Sequence, residues 1–67
     1  MPHITLNGLP RAAGDDASIA DLLQELGVPP QVVAVQLNDD IVPRDRFATT
    51  RLGEGDRVEV ITFAVGG

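Results

Sequence analysis

Ser18-Ile19-Ala20-Asp21-Leu22-Leu23-Gln24-Glu25-Leu26-Gly27 is the stretch on which the fold turns. Ile19, Leu22, Leu23 and Leu26 recur at i, i+3, i+4 and i+7, the spacing that gathers apolar side chains on one face of a helix. Ser18 stands where an N-cap belongs, its side-chain oxygen free to accept a first-turn backbone N–H. Asp21, at the third helical position, puts negative charge at the positive end of the helix dipole. Asp21, Gln24 and Glu25 fall on the wet side. Gly27 can take the left-handed conformation that stops a helix, and Pro29-Pro30 prevents its resumption. Two turns of helix do not persist alone in water, so the apolar face must be docked on other structure.

The flanking sequence supplies a sheet for it. Upstream, Ile4 and Leu6 alternate with His3 and Thr5, the period of a half-buried strand. Asn7-Gly8 is a strong hairpin signal, because both residues tolerate φ > 0. The return strand, 9–13, contains Pro10, which cannot donate to a ladder and so belongs on an edge or at a strand end. Gly14-Asp15-Asp16 breaks the pattern. Downstream, 32–37 is rich in β-branched residues and reads as a central strand. Asn38-Asp39-Asp40 turns the chain into a very short partner strand, Ile41-Val42, which Pro43 ends. Residues 44–50 read as a turn or a single irregular helical turn pinned by Phe47. Leu52-Gly53-Glu54-Gly55-Asp56 then leads into a last strand from 57 to about 63. The expectation is an α+β fold, a mixed sheet of about four to five strands with one main helix across one face. By analogy the pairing is that of a β-grasp sheet, with the last strand between the first and the third. Residues 1–63 form that domain and 64–67 a flexible tail.

Composition narrows the function. A chain of 67 residues builds one small domain of modest stability. There is no cysteine, which fits a reducing cytoplasm. No apolar run approaches the length of a membrane span, and the N-terminus lacks a basic-then-apolar signal, so the expected location is cytoplasmic. Net charge is −5, and the five cations, all arginines, are scattered along the chain. That argues against nucleic acid, whose phosphates need clustered positive charge. With no lysine, the protein cannot build lysine-linked chains of itself.

A catalytic site is hard to assemble. His3 is alone, on what should be the solvent face of the first strand. Ser18 has no base placed to activate it and is better used as a cap. The acidic pairs Asp15-Asp16 and Asp39-Asp40 sit in turns and lack calcium-loop spacing. No G-x-G-x-x-G or P-loop occurs. The chain reads as a non-enzyme that holds no metal or cofactor of its own.

The remaining candidate is the end of the chain. After the apolar Val60, Ile61, Phe63 and Val65 come Gly66-Gly67. Residues without Cβ form a thin strip that can enter a narrow channel. A terminal carboxylate is a poor acyl donor, but its attack on the α-phosphate of ATP gives an acyl-adenylate with a good leaving group. The alignment and charge stabilisation for that step must come from a partner with a phosphate site. A sulfur donor could then displace AMP and leave a thiocarboxylate.

Asn38-Asp39-Asp40-Ile41-Val42-Pro43-Arg44, then Gly55-Asp56-Arg57-Val58-Glu59-Val60 and the closing Gly66-Gly67, resemble the ThiS family, the sulfur-carrier proteins of thiamine biosynthesis. The similarity spans essentially the whole chain and is sharpest from Val33 onward. Phe47 stands where this family often has tryptophan. The resemblance implies a ubiquitin-like β-grasp fold and activation by an E1-like adenylating enzyme that uses Mg-ATP. It implies sulfur from a donor such as a cysteine desulfurase, held as a thiocarboxylate on Gly67 and passed to thiazole synthase. Gly66 is then the flexible residue before the attachment point, and 38–44 are chiefly structural. The small subunit of molybdopterin synthase, another ubiquitin-like sulfur carrier or protein modifier, and a passive β-grasp interaction module are the competing readings.

Strand alternation adds a surface. If Val58 and Val60 face the helix, then Ile61, Phe63 and Val65 point the other way and form a docking patch for the activating enzyme and the synthase. The alternative is that alternation breaks near Ile61 and these residues fill the core.

Overall fold

The computed structural model describes residues 1–63; the expectations placed on 64–67, with Val65, Gly66 and Gly67 among them, lie outside the described residues. The elements follow in the order β1 (His3–Leu6), β2 (Leu9–Ala12), α1 (Ile19–Leu26), β3 (Val33–Leu37), β4 (Asp40–Val42) and β5 (Arg57–Thr62). Short 3-10 turns at Pro30–Val32 and Arg44–Arg46 complete it. The sheet has the strand order β2-β1-β5-β3-β4. β1 and β5 run parallel, and the remaining neighbours are antiparallel. This is the α+β arrangement expected, with the last strand between the first and third.

Helix α1 shows how completely local sequence can specify an element. Ser18 Oγ accepts the Asp21 N–H (3.1 Å), while Asp21 Oδ2 accepts the Ser18 N–H (3.0 Å), a reciprocal capping box. The other first-turn donors are also used: Ile19 N–H reaches Thr50 C=O (3.0 Å) and Ala20 N–H reaches Phe47 C=O (3.0 Å). At the far end Gly27 has φ 72°. Its N–H bonds to Gln24 C=O (3.1 Å) and that of Val28 to Leu23 C=O (3.2 Å), the crossed pair of a Schellman stop. Ile19, Leu22 and Leu23 are buried against Ile4, Val33, Val35, Val42 and Val58 of the sheet, with Ala13, Phe47 and Leu52 filling the ends of the layer.

Both hairpins turn on asparagine. Asn7 (φ 50°) and Gly8 (φ 83°) join β1 to β2, and Asn38 (φ 52°) and Asp39 (φ 73°) join β3 to β4. Two consecutive positive φ values match the twist of the flanking strands. A two-residue turn also means that Asp40 pairs with Leu37, so Asp40 belongs to the strand rather than to the turn. Pro10 lies on the β2 edge, as its missing N–H requires. Other details also depart from the sequence reading. β3 is interior but not central, because β5 takes the middle and β3 lies between β5 and β4. It also begins at Val33, since Pro29-Pro30 sets up a 3-10 turn that consumes Val32. That turn is held by Arg44, whose Nε donates to Pro30 C=O (3.2 Å) and Nη2 to Gln31 C=O (3.4 Å).

Two carboxylates make stability sensitive to acid. The Ser18 backbone N–H, and then its hydroxyl, hold Asp21 below the ordinary aspartate range. The His3 backbone N–H (2.9 Å) does the same for Glu54. A depressed folded-state pKa contributes stability that is present above the unfolded pKa and is lost as pH falls through the folded value. Thermal stability should therefore hold at neutral pH and decline once pH drops below about 4, the ordinary carboxylate range. Asp21→Asn still accepts the Ser18 N–H but does not titrate there. Melting curves across that range should show a shallower acid decline for Asp21→Asn than for the unsubstituted chain; equal slopes would refute the assignment.

Candidate functional site at the end of the central strand

β5 is paired along one side over most of its length and along the other only at its start. On one side β3 pairs with it from Leu37↔Val58 to Val33↔Thr62, and Phe63 N–H extends the ladder to Val32 C=O (2.9 Å). On the other side β1 pairs only at Thr5↔Arg57 and Leu6↔Val58. Along β5, Val58 is buried and Val60 packs against the core. Ile61 and Phe63, of opposite parity to Val58 and Val60, are 49% and 45% exposed. Val58 and Val60 thus turn inward while Ile61 and Phe63 stay wet and do not fill the core; inward burial ends at Val60, since Thr62 is exposed. Ile61 is bared further by its cross-strand neighbour, Ala34, whose methyl covers little.

The face opposite α1 carries one more exposed apolar residue that sequence reasoning did not assign to it. Ile41 is 72% exposed and stands in one cross-strand row with Gln36 and Glu59. Its neighbour Val42 faces the core, and adjacent strand residues cannot both do so. The Ile41-Val42 pair held that signal, but only the register shows which of the two turns inward.

The run from Asn38 to Arg44 is structural, as the sequence reading expected. Asn38 Oδ1 accepts the Arg57 N–H (2.8 Å), and its Nδ2 donates to Asp56 Oδ1 (3.1 Å). Asp39 Oδ2 pairs with Arg57 Nη2 (3.0 Å), an exposed ion pair of small energetic weight. Asp56 Oδ2 in turn accepts the Gly53 N–H (2.7 Å) and shapes the turn into β5. The family-like G-D-R segment and the N-D-D run are thus two halves of one joint.

No catalytic cluster forms among the described residues. His3 is exposed, its Nδ1 3.5 Å from Glu54 Oε1, with no nucleophile beside it. Ser18 is buried in its capping box. No three His, Cys, Asp or Glu side chains converge in the geometry of a metal site among the described residues. A shallow concavity at the end of α1, formed by Ala20, Leu23, Gln24 and residues 27–30, contains no titratable group. The N-terminus of α1 offers no anion site, because its first-turn donors are already bonded within the chain. Among the described residues no helix is long and apolar enough to cross a membrane.

Comparison with known proteins places these features in context. The sequence model of the ThiS family matches residues 4–67. A thiazole synthase of Paramagnetospirillum magneticum is 36% identical over 64 residues, which cover 96% of this chain; the chain spans only 20% of that relative's length. The crystal structure of the thiamine biosynthesis protein (ThiS) from Geobacter metallireducens superposes with a TM-score of 0.82 at 32% identity, covering 97% of this chain and 99% of the other. A ubiquitin-like protein from Caldiarchaeum subterraneum shares the fold at a TM-score of 0.53 and 15% identity, with 96% of each chain covered.

Proposed function

Because the chain belongs to the ThiS family, we propose that it is a sulfur carrier for thiazole formation in thiamine biosynthesis, acting as a protein co-substrate rather than as an enzyme. One observation carries the reading. The central strand presents Ile61 and Phe63 on the open face of the sheet immediately before the stretch that closes on Gly66-Gly67.

The chemistry belongs to the Gly67 carboxylate. One of its oxygens attacks the α-phosphorus of ATP, the bond to pyrophosphate breaks, and an acyl-adenylate forms. The terminal sulfur of a donor's persulfide, such as that of a cysteine desulfurase, then adds to the acyl carbon and AMP leaves with its electron pair. A second thiol cleaves the resulting acyl disulfide and keeps the donor's other sulfur as a disulfide. The product is a thiocarboxylate. An E1-like adenylating partner supplies Mg-ATP and the charge stabilisation of the first step. The internally bonded helix N-terminus supports that division of labour, since this chain offers no phosphate cradle there. Thiazole synthase is the proposed acceptor. A thiazole synthase polypeptide that contains a stretch similar to nearly this whole chain supports the pairing.

The test is intact mass after incubation with ATP, the adenylating enzyme and a sulfur donor. Replacement of one oxygen by sulfur is expected, and an unchanged mass with a competent partner would sink the reading.

Ile61 and Phe63, with Val65 beyond the described residues, form the docking patch for the activating enzyme and the synthase. Aromatic anchors carry a large share of interface energy, and surface truncation costs little stability. Phe63→Ala should weaken use by the adenylating enzyme by about 10-fold, with stability changed by less than about 1 kcal/mol. Intact adenylation kinetics in a stable variant would remove the docking role.

A further inference from the structure

Asn7 does more than turn the first hairpin. Its backbone conformation (φ 50°) is one that glycine adopts readily, so the turn alone does not call for a carboxamide. That carboxamide is bonded to the central strand: Oδ1 accepts the Val60 N–H (2.8 Å) and Nδ2 donates to Val60 C=O (3.3 Å). A primary amide presents the same donor and acceptor as a peptide unit. Asn7 also donates its own N–H to Val58 C=O (2.9 Å). The chain therefore leaves β5 at Asn7, while the hydrogen-bond ladder continues one rung further through the side chain.

Asn38 performs a matching task at the opposite end. Its Oδ1 accepts the Arg57 N–H at the start of β5, again from a turn position with positive φ. The two clamps differ in what they adjoin. Asn38 holds the end of β5 remote from the exposed apolar residues. Asn7 holds Val60, the residue directly before Ile61.

We propose that Asn7 is a positioning residue of the carrier reaction: by securing both polar groups of Val60, it holds Ile61 and Phe63 on the open face at the end of the last strand. The inference rests on the sulfur-carrier reading. Without the carboxamide, the β1 side of Val60 turns to water and β3 alone restrains the end of the strand. An adenylating partner must then order that segment as it binds, and the cost falls on association rather than on the chemical step.

Steady-state pyrophosphate release by the adenylating enzyme, with this chain as the varied substrate, tests the role. Asn7→Gly keeps the turn conformation and removes the clamp; Asn38→Gly is the matched control. Asn7→Gly should raise KM about 5- to 10-fold with kcat within about 2-fold. Its Val60 amide should also exchange with solvent faster, and Asn38→Gly should leave KM within about 2-fold. An unchanged KM in Asn7→Gly, or equal rises in both variants, would overturn the positioning role while the carrier reading stands. Absence of pyrophosphate release from the unsubstituted chain would instead defeat the carrier reading, and the positioning role with it.

Discussion

Deletion of Gly67 is expected to abolish sulfur loading altogether while leaving the fold intact. Shortening the chain by one residue still leaves a carboxylate, now on Gly66, so the bare ability to be activated is not what the deletion removes. It removes position. Adenylation needs the attacking oxygen in line with the α-phosphorus, and near-attack alignment accounts for a large part of the rate of such steps. One residue of extended chain spans about 3.3–3.6 Å. A deep active site cannot recover that distance when the folded body, with Ile61 and Phe63 on its surface, sets how far the chain can enter. The expected rate loss is more than about 100-fold. The melting temperature should be unchanged, because every core residue among the described residues lies before Phe63. Intact mass reads the outcome: the oxygen-to-sulfur difference appears in the full chain and not in the shortened one. Efficient loading of the shortened chain would show that docking does not set the depth of insertion.

The second large effect concerns Phe47. It is only 4% exposed although it sits in an otherwise polar, irregular segment. Its C=O accepts the Ala20 N–H of the first turn of α1, and its N–H bonds back to Arg44 C=O (3.2 Å). The ring thus anchors a long connection to the core while the backbone caps the helix. Phe47→Ala should cost about 3–5 kcal/mol, the range for truncating a buried aromatic. A domain of this size has a total stability of roughly 3–10 kcal/mol, so the loss removes about a third to all of it. Phe47→Leu, which keeps most of the volume, should lose only about 1–1.5 kcal/mol. Chemical denaturation of both variants checks the pair. A small loss for Phe47→Ala would mean that the connection is held chiefly by Arg44 and the backbone bonds.

Much of the architecture was legible because its signals are local. The capping serine, the 3.6-residue spacing and Gly27 define α1 without reference to any other element. Asn7-Gly8 and Asn38-Asp39 announce their hairpins because few residues accept positive φ in succession. Pro10 indicates an edge for an equally local reason, its missing donor. The terminus stands out as a candidate for a different reason: among the described residues no activated nucleophile or ligand set is assembled, and the N-D-D and G-D-R segments resemble those of one family.

What could not be read from the chain depends on which strands are neighbours. Ile41 and Val42 are both apolar, and only the register Gln36↔Ile41 turns Ile41 outward. The strand read at 32–37 looked central by composition, yet β5 occupies the middle because it pairs in parallel with β1 and antiparallel with β3. The Asn7 clamp joins positions 53 residues apart in sequence, and no spacing rule links them. Sequence alone therefore determined which elements form and in what order, and which residues were candidates to carry chemistry, since dihedral preference and periodicity act over a few residues. Only the tertiary structure decided which apolar side chains stay wet and what holds the last strand in place. Those outcomes depend on distant segments satisfying each other's backbone hydrogen bonds.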